Sequence, residues 1–238
     1  MAGTLNHAEY KEICYNNQHW ILLKELRQKS SKIMSALERA NLRSVVHGSI
    51  ARGDVNKESD VDLFIPNLSS SFIIENALER AHFPLNARFL VQATPNYAMK
   101  AYIEIDAKTS VSFPLMRMRN VEQGFYKFGG EIDINQLRSN VRVAGVNKRL
   151  MLIQPTFKGH IQSSIIGLEE NTAKQLSISV ETVFDRVHTL LRRNKVGRTG
   201  VFVKKELNPN ETFEMALKKF ADANPAVRRR MNRSYSSG

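Results

Sequence analysis

The chain has 238 residues, a formal net charge of +12 and 42% hydrophobic side chains, enough for one proper core and something smaller beside it. No apolar run approaches the length of a membrane span and no basic-then-apolar leader opens the chain, so the expectation is a cytoplasmic protein with no membrane partner. A single cysteine, Cys14, excludes an intramolecular disulfide, and the lack of clustered Cys and His excludes a structural zinc site, leaving Cys14 as a small buried or half-buried hydrophobe.

Residues 7–42 read as one long helix or two short ones, because Ile13, Trp20, Leu23, Leu26, Ile33, Met34 and Leu37 recur near helical spacing. Trp20 in that stripe is read as core rather than as a base-stacking platform. Residues 45–47 are predicted as a strand ending in Gly48-Ser49, and residues 50–55 as a short helix or turn. Gly48 permits a tight turn with close backbone approach, and Ser49 offers a hydroxyl and a backbone N–H to a phosphate. Gly48 to Gly53 also fit the opening of a P-loop, but Asp54-Val55 stands where Lys-Ser/Thr is required, which excludes that reading. Residues 60–65 are predicted as the next strand, with Asp60 and Asp62 on one face and Val61, Leu63 and Ile65 turned to a core. Two carboxylates this close repel, and a hard divalent ion such as Mg²⁺, arriving with substrate phosphates, relieves the repulsion. An ordinary half-exposed strand shows the same alternation. The Gly-Ser turn upstream and a further acidic strand downstream set this one apart.

Ser70-Ser71 is predicted to cap a helix running to about His82, with Ile73, Ile74, Ala77, Leu78 and Ala81 on its buried side. Residues 87–94, 98–107 and 110–115 are predicted strands, and the second carries Glu104 and Asp106, which share a face by period two. Residues 119–160 are interrupted by Gly124, Gly129 and Gly130, with Phe125, Tyr126 and Phe128 among them. Strand-like fragments fall at 132–134 and 142–146, and an apolar run at 150–153 is ended by Pro155. The aromatics interleave with Lys127, Arg138, Arg142, Lys148 and Arg149, a pattern as compatible with nucleotide or RNA contact as with a connector.

Residues 168–176 and 180–193 are predicted helices joined by a turn at 177–179. Ala173, Ser177, Ile178, Val183, Val187 and Leu190 stand where a helix-turn-helix needs small or apolar residues, Ser177 taking the place where Gly is usual. Residues 197–205 read as a hairpin, so the segment 161–207 resembles a winged helix-turn-helix domain. Glu181, Thr182, Asp185 and Arg186 would project from the early recognition helix, while the wing with Arg192, Arg193, Lys195 and Arg198 supplies better phosphate contacts. A last helix is predicted over 211–224, stopped by Pro225, with Arg228-Arg229-Arg230 and Arg233 closing the chain and a disordered end at 234–238. Residues 186–238 hold thirteen basic and four acidic side chains and supply most of the net charge, which favours a nucleic-acid partner.

Gly48-Ser49, Ala51-Arg52-Gly53 and Asp60-Val61-Asp62 together resemble the signature of the polymerase β-type nucleotidyltransferase superfamily, which includes CCA-adding enzymes, poly(A) polymerases and minimal nucleotidyltransferases. The stretch Ile103-Glu104-Ile105-Asp106 is similar to the segment carrying the third aspartate in archaeal CCA-adding enzymes, and the likeness spans about residues 40–115. The resemblance implies an α+β nucleotidyltransferase fold, a small mixed sheet with flanking helices, here followed by the winged helix-turn-helix-like domain. The expected division is a catalytic domain with its N-terminal helix over 1–118, a connector over 119–160, the winged domain over 161–207 and a helix with basic tail over 208–238. It also implies that Gly48 and Ser49 hold the β- and γ-phosphates of an NTP, that Arg52 neutralises triphosphate charge, and that Asp60, Asp62 and Asp106 bind metal, with Glu104 as the alternative third carboxylate. Two Mg²⁺ ions, replaceable by Mn²⁺, would then serve transfer of NMP to an acceptor hydroxyl with release of pyrophosphate. RNA is the expected acceptor, in preference to DNA. Modification of a protein or small molecule, or a DNA-binding regulator that senses nucleotides, are the alternatives, and no oligomeric state follows from the sequence.

Overall fold

The computed structural model describes residues 10–197 and 200–235. In chain order the elements are β1 (Lys11–Cys14), α1 (Asn17–Arg39), β2 (Val45–His47), α2 (Ser49–Arg52), β3 (Val61–Phe64), α3 (Ser71–Arg80), β4 (Ala87–Gln92), β5 (Lys100–Asp106), β6 (Thr109–Pro114), α4 (Asn120–Phe128), β7 (Glu131–Asp133), α5 (Ile134–Arg138), β8 (Gly145–Val146), β9 (Met151–Thr156), β10 (Gly159–Ser164), α6 (Glu169–Leu176), α7 (Val180–Val196), β11 (Val203–Glu206), α8 (Phe213–Ala223) and α9 (Pro225–Tyr235).

Alternating apolar residues build a seven-stranded mixed sheet in the order β11-β4-β5-β6-β3-β2-β7, in which β3 and β6 run parallel and the other neighbours antiparallel. Val46, Leu63, Val111 and Ile103 lie side by side across β2, β3, β6 and β5, each fully buried. Burial of such side chains contributes roughly 1.5–3 kcal/mol each. The stripe of α1 that includes Leu23, Ile33, Met34 and Leu37 covers this face, and Asn16 caps the helix by accepting from His19 N. From the far end of the chain, α8 adds Phe213, which meets Phe113 edge to face at 5.4 Å. The core of the seven-stranded sheet is thus completed by residues distant in sequence.

A second, antiparallel sheet has the order β1-β10-β9-β8, and α6 and α7 close a separate core with Phe128, Val146, Leu152, Ile165, Val183 and Val187. Residues 11–14, read as helix, form a strand because β10 offers an edge for them; residues 7–9 lie outside the described part. Cys14, on that strand, is exposed rather than buried. Pro155 does not end β9 but sits within it, beyond the reach of the two-residue β8, where no neighbour asks for its missing N–H. Residues 119–160 hold α4, the sheet-edge strand β7 and most of the second sheet.

The helix pair α6–α7 forms as expected, with Ser177 at φ 52° and ψ 47° in the left-handed turn between them. Among the described residues no wing hairpin forms. Val203–Glu206 pairs with β4 and extends the seven-stranded sheet, while Arg198 and Thr199 lie outside the described residues. Nor does α7 present the expected reading face. Thr182 is buried against Gly124 of α4, where any side chain at 124 would come within 2.6 Å of the Thr182 hydroxyl. Asp185 accepts from Tyr97 Oη at 2.8 Å, and Arg186 lies 4.7 Å from the Phe125 ring. The helix expected to stop at Pro225 ends at Ala223, and Pro225 also opens a further helix, α9, since the first helical position needs no N–H. Arg230, expected among the phosphate contacts, is buried and donates to Asn96 O, Arg117 O and Glu122. Of the tail expected to be disordered, residues 234 and 235 fall in α9 and 236–238 lie outside the described part.

Candidate active site

At the end of β2 the chain turns through Gly48, whose φ of +80° and ψ of −141° only glycine adopts without strain, and whose missing side chain would have met nothing within 4 Å. Its own N–H is taken by Gly130 O at 2.9 Å, so Gly48 shapes the turn while the N–H groups of the first turn of α2, beginning with Ser49, are left without helical partners. Ser49 Oγ donates to Ser59 Oγ at 3.2 Å, and Ser59 Oγ in turn accepts from Asn56 N at 2.9 Å, tying the turn to the loop that leads into Asp60. Arg27, buried on α1, donates to Ile50 O, Ala51 O and Val141 O and so holds α2 from behind. His19 Nε2 donates to Gly53 O at 2.7 Å and fixes the far end.

Beside this turn, strand register lines up a polar row across the open face of the sheet. Asp62 lies opposite Ser110, and Ser110 opposite Glu104. Ser110 Oγ donates to Asp62 Oδ1 at 3.0 Å. On the other side of β3, the antiparallel pairing of Val45 with Phe64 carries His47 to the Asp62 end, and His47 is itself opposite Glu131. Asp60 is exposed just before β3.

Burial pushes the His47 imidazole down to about 4, against the pull of Asp62 and helped by Lys100 and Arg52. The native ring stays neutral where the unfolded one, near its ordinary 6.5, gains a proton. The unfolded state therefore binds more protons between pH 6.5 and 4, and stability falls as pH drops through that window. Urea denaturation is expected to show a lower midpoint at pH 5 than at pH 7, and His47→Gln to lose about one proton from that dependence. An unchanged pH response in the variant would exclude His47 as its source.

Asp106 is not brought to this row. Glu104 pairs with Ser110 and Asp106 with Thr109, so β5 bulges by one residue between them. The bulge turns Asp106 toward the side of buried Thr109 and Val61, where its carboxylate pairs with Lys29 of α1 at 2.7 Å. Burial pushes this carboxyl up, but Lys29, the Lys108 N–H and Thr109 outweigh it and hold it below the ordinary range. Asp106 thus stands apart from Asp62, and among the described residues no three His, Cys, Asp or Glu side chains converge in a group ready to hold a metal. Both partners of the Lys29 pair are about two-fifths exposed, and such pairs are worth at most about 1 kcal/mol. Asp106→Asn is therefore expected to cost at most about 1 kcal/mol of stability and, with Asp106 turned away from Asp62, to lower kcat/KM far less than Asp62→Asn does. A loss as deep as that of Asp62→Asn would return Asp106 to the acidic set.

Arg52 is likewise turned inward. It is 5% exposed and donates to Gly129 O and Asp54, which locks the Gly129-Gly130 turn behind the Gly48 turn. The guanidinium expected to meet the triphosphate is committed to the fold.

Over the same face α4 supplies an aromatic wall. Tyr126 stacks on Phe64 with ring centroids 3.6 Å apart, and Lys100 Nζ donates to Tyr126 Oη at 2.9 Å. Burial lowers the Lys100 ammonium to about 8, Glu122 opposing and Arg186 adding to the effect. Ser59, Ser110, Lys100 and Arg27 are the residues that sequence reasoning missed, while Tyr126 is one of the interleaved aromatics it singled out. For Lys100 the signal was present, since Lys100, Tyr102 and Glu104 share a face by period two. Arg27 showed it as well, a charge at helical spacing between Leu23 and Ser30.

Residues 23–112 match the family model described as nucleotidyltransferase domain. No curated protein and no solved structure matches the chain. The turn at Gly48-Ser49 and the strand with Asp62 both fall inside the matched segment, and the protein, carrying this domain, is a nucleotidyltransferase enzyme.

Proposed function

We propose that the protein transfers NMP from an NTP to an RNA hydroxyl in a reaction that depends on a divalent cation. The observation that carries this reading is the juxtaposition of the Gly48-Ser49 turn with Asp62 on the adjoining antiparallel strand. Ser49, through its hydroxyl and its backbone N–H, binds the β- and γ-phosphates, and Gly48 gives them room. The acceptor hydroxyl gives up its proton to solvent as its oxygen bonds to the α-phosphorus, the bond to the bridging oxygen breaks, and pyrophosphate leaves with that electron pair. Asp60 and Asp62 are oxygen donors of the kind a hard cation takes, and they fit one ion that also holds the triphosphate. A bound Mg²⁺, or Mn²⁺ in its place, supplies charge stabilisation on the phosphates. Among the described residues no three-carboxylate set stands ready for a second ion. Tyr126, stacked on Phe64 and held by Lys100, packs over the same face of the sheet as Asp62.

Support for RNA comes from charge. Arg192 and Arg193 are exposed on the last turns of α7, Lys204 lies on β11, and Arg228 and Arg229 are exposed on α9. If these side chains engage a phosphate backbone, the affinity falls with salt by roughly 0.7–0.9 log–log units per phosphate contacted. Replacing Arg192, Arg193, Arg228 and Arg229 by Gln is expected to flatten that slope while NTP binding survives. Truncation of α9 is avoided, since it would remove the buried Val227 and Arg230. Incubation with each labelled NTP together with total RNA and protein tests the acceptor. Label in protein or in small molecules alone would overturn the RNA assignment.

A further inference from the structure

The acidic face of the sheet carries a serine where strand register asks for a carboxylate. An ion held by Asp62 has as its nearest cross-strand neighbour on β6 the side chain at position 110, about 4.8 Å away across one strand spacing. That side chain is Ser110, and its hydroxyl already donates to Asp62 Oδ1 at 3.0 Å. The next residue in the row, Glu104, is a second strand spacing further, roughly 10 Å from Asp62 between backbones. Asp106 is drawn to the helix-covered side by the bulge and by Lys29. The remaining acids of the loop are engaged elsewhere, Asp54 by Arg52 and Glu58 by Lys108. Glu131, opposite His47, stands as far from Asp62 on the other side as Glu104 does, so Asp60 and Asp62 are the carboxylates nearest one another on this face.

We propose that the site takes a single divalent cation, shared by Asp60, Asp62 and the triphosphate, and that Ser110 keeps a second ion out. The inference rests on the metal-dependent reading above and sharpens it. A pair of ions would stabilise both the attacking and the leaving oxygens, and a second hard cation would call for a further anionic oxygen donor beside Asp62. With a neutral hydroxyl there, the attacking oxygen is positioned without an ion of its own. The arrangement also benefits the empty protein. A carboxylate at position 110 would face Asp62 across one strand spacing, and like charges directly opposite each other on a sheet are destabilising.

The test is Mn²⁺ stoichiometry, read by the electron paramagnetic resonance signal of free Mn²⁺, with the full chain in excess over an α,β-methylene NTP analogue. One Mn²⁺ per bound analogue is expected for the natural chain and for Glu104→Gln, and two for Ser110→Asp. The thermal midpoint of Ser110→Asp is expected to lie below that of the natural chain without metal and to rise more on adding Mn²⁺. Two ions per analogue in the natural chain would overturn the inference alone, and reversion to one in Glu104→Gln would name the carboxylate responsible. Absence of any analogue-dependent Mn²⁺ site would overturn the metal-dependent reading and this inference with it. Should Ser110→Asp not fold, the stoichiometries of the natural chain and Glu104→Gln decide the matter.

Discussion

Asp62→Asn is expected to lower kcat/KM by about 10³-fold, with Asp60→Asn close behind, because several kcal/mol of charge stabilisation at the phosphates depend on these carboxylates. Asparagine keeps the shape of Asp62 and can still accept from Ser110 Oγ, now at 3.0 Å from Oδ1, so β3 stays in register. Stability is expected to change by less than about 1 kcal/mol, and to rise where repulsion from the other carboxylate was felt. Pyrophosphate release gives the kinetic value and urea denaturation the stability. Ser49→Ala, which removes one phosphate contact, is expected to act mainly on KM. Turnover at the natural level in both aspartate variants would remove the catalytic assignment.

Glu122→Ala is expected to cost about 3–5 kcal/mol of stability, the largest single loss anticipated for a residue outside the apolar core. The carboxylate is 3% exposed on α4 and accepts from Ala98 N at 2.7 Å, Arg119 N at 3.1 Å and Arg230 at 3.4 Å. Its removal leaves a buried backbone donor unsatisfied and takes the counter-charge from Arg230, itself 8% exposed. It also frees the start of α4, which carries Tyr126 against Phe64 on β3, so a rise in KM is expected to accompany the loss. Glu122→Gln keeps an acceptor and is expected to cost about half as much. Urea denaturation of the two variants separates lost charge from lost hydrogen bonds; equal costs would assign the whole effect to the charge.

The parts of the molecule legible in the sequence are those fixed by neighbours along the chain. Gly48 marks its turn because the backbone there needs positive φ, and the alternation around Asp62 declares a half-buried strand. The strands β4, β5 and β6, the helix α3 and the pair α6–α7 follow from the same local periodicity. Ser177 shows how local sequence can be followed even where the preferred glycine is missing.

Tertiary structure decided what periodicity leaves open: which strand meets which, and which face a side chain finally takes. The strands β1, β7 and β11 exist through partners far along the chain, and β11, read as a wing, was claimed by the open edge of β4. Arginines 27, 52 and 230 look like solvated charges in sequence, yet each ends buried, satisfying carbonyls that only the folded chain brings near. The third carboxylate turned on one residue. Period two places Glu104 and Asp106 on the same face, and the bulge between them, set by pairing with β6, sends Asp106 to Lys29 and leaves Ser110 beside Asp62. The sequence by itself determined the Gly48-Ser49 turn and the two aspartates, because both are properties of a few adjacent residues. The composition of the acidic face depended on strand register, a long-range quantity that a one-residue shift inverts.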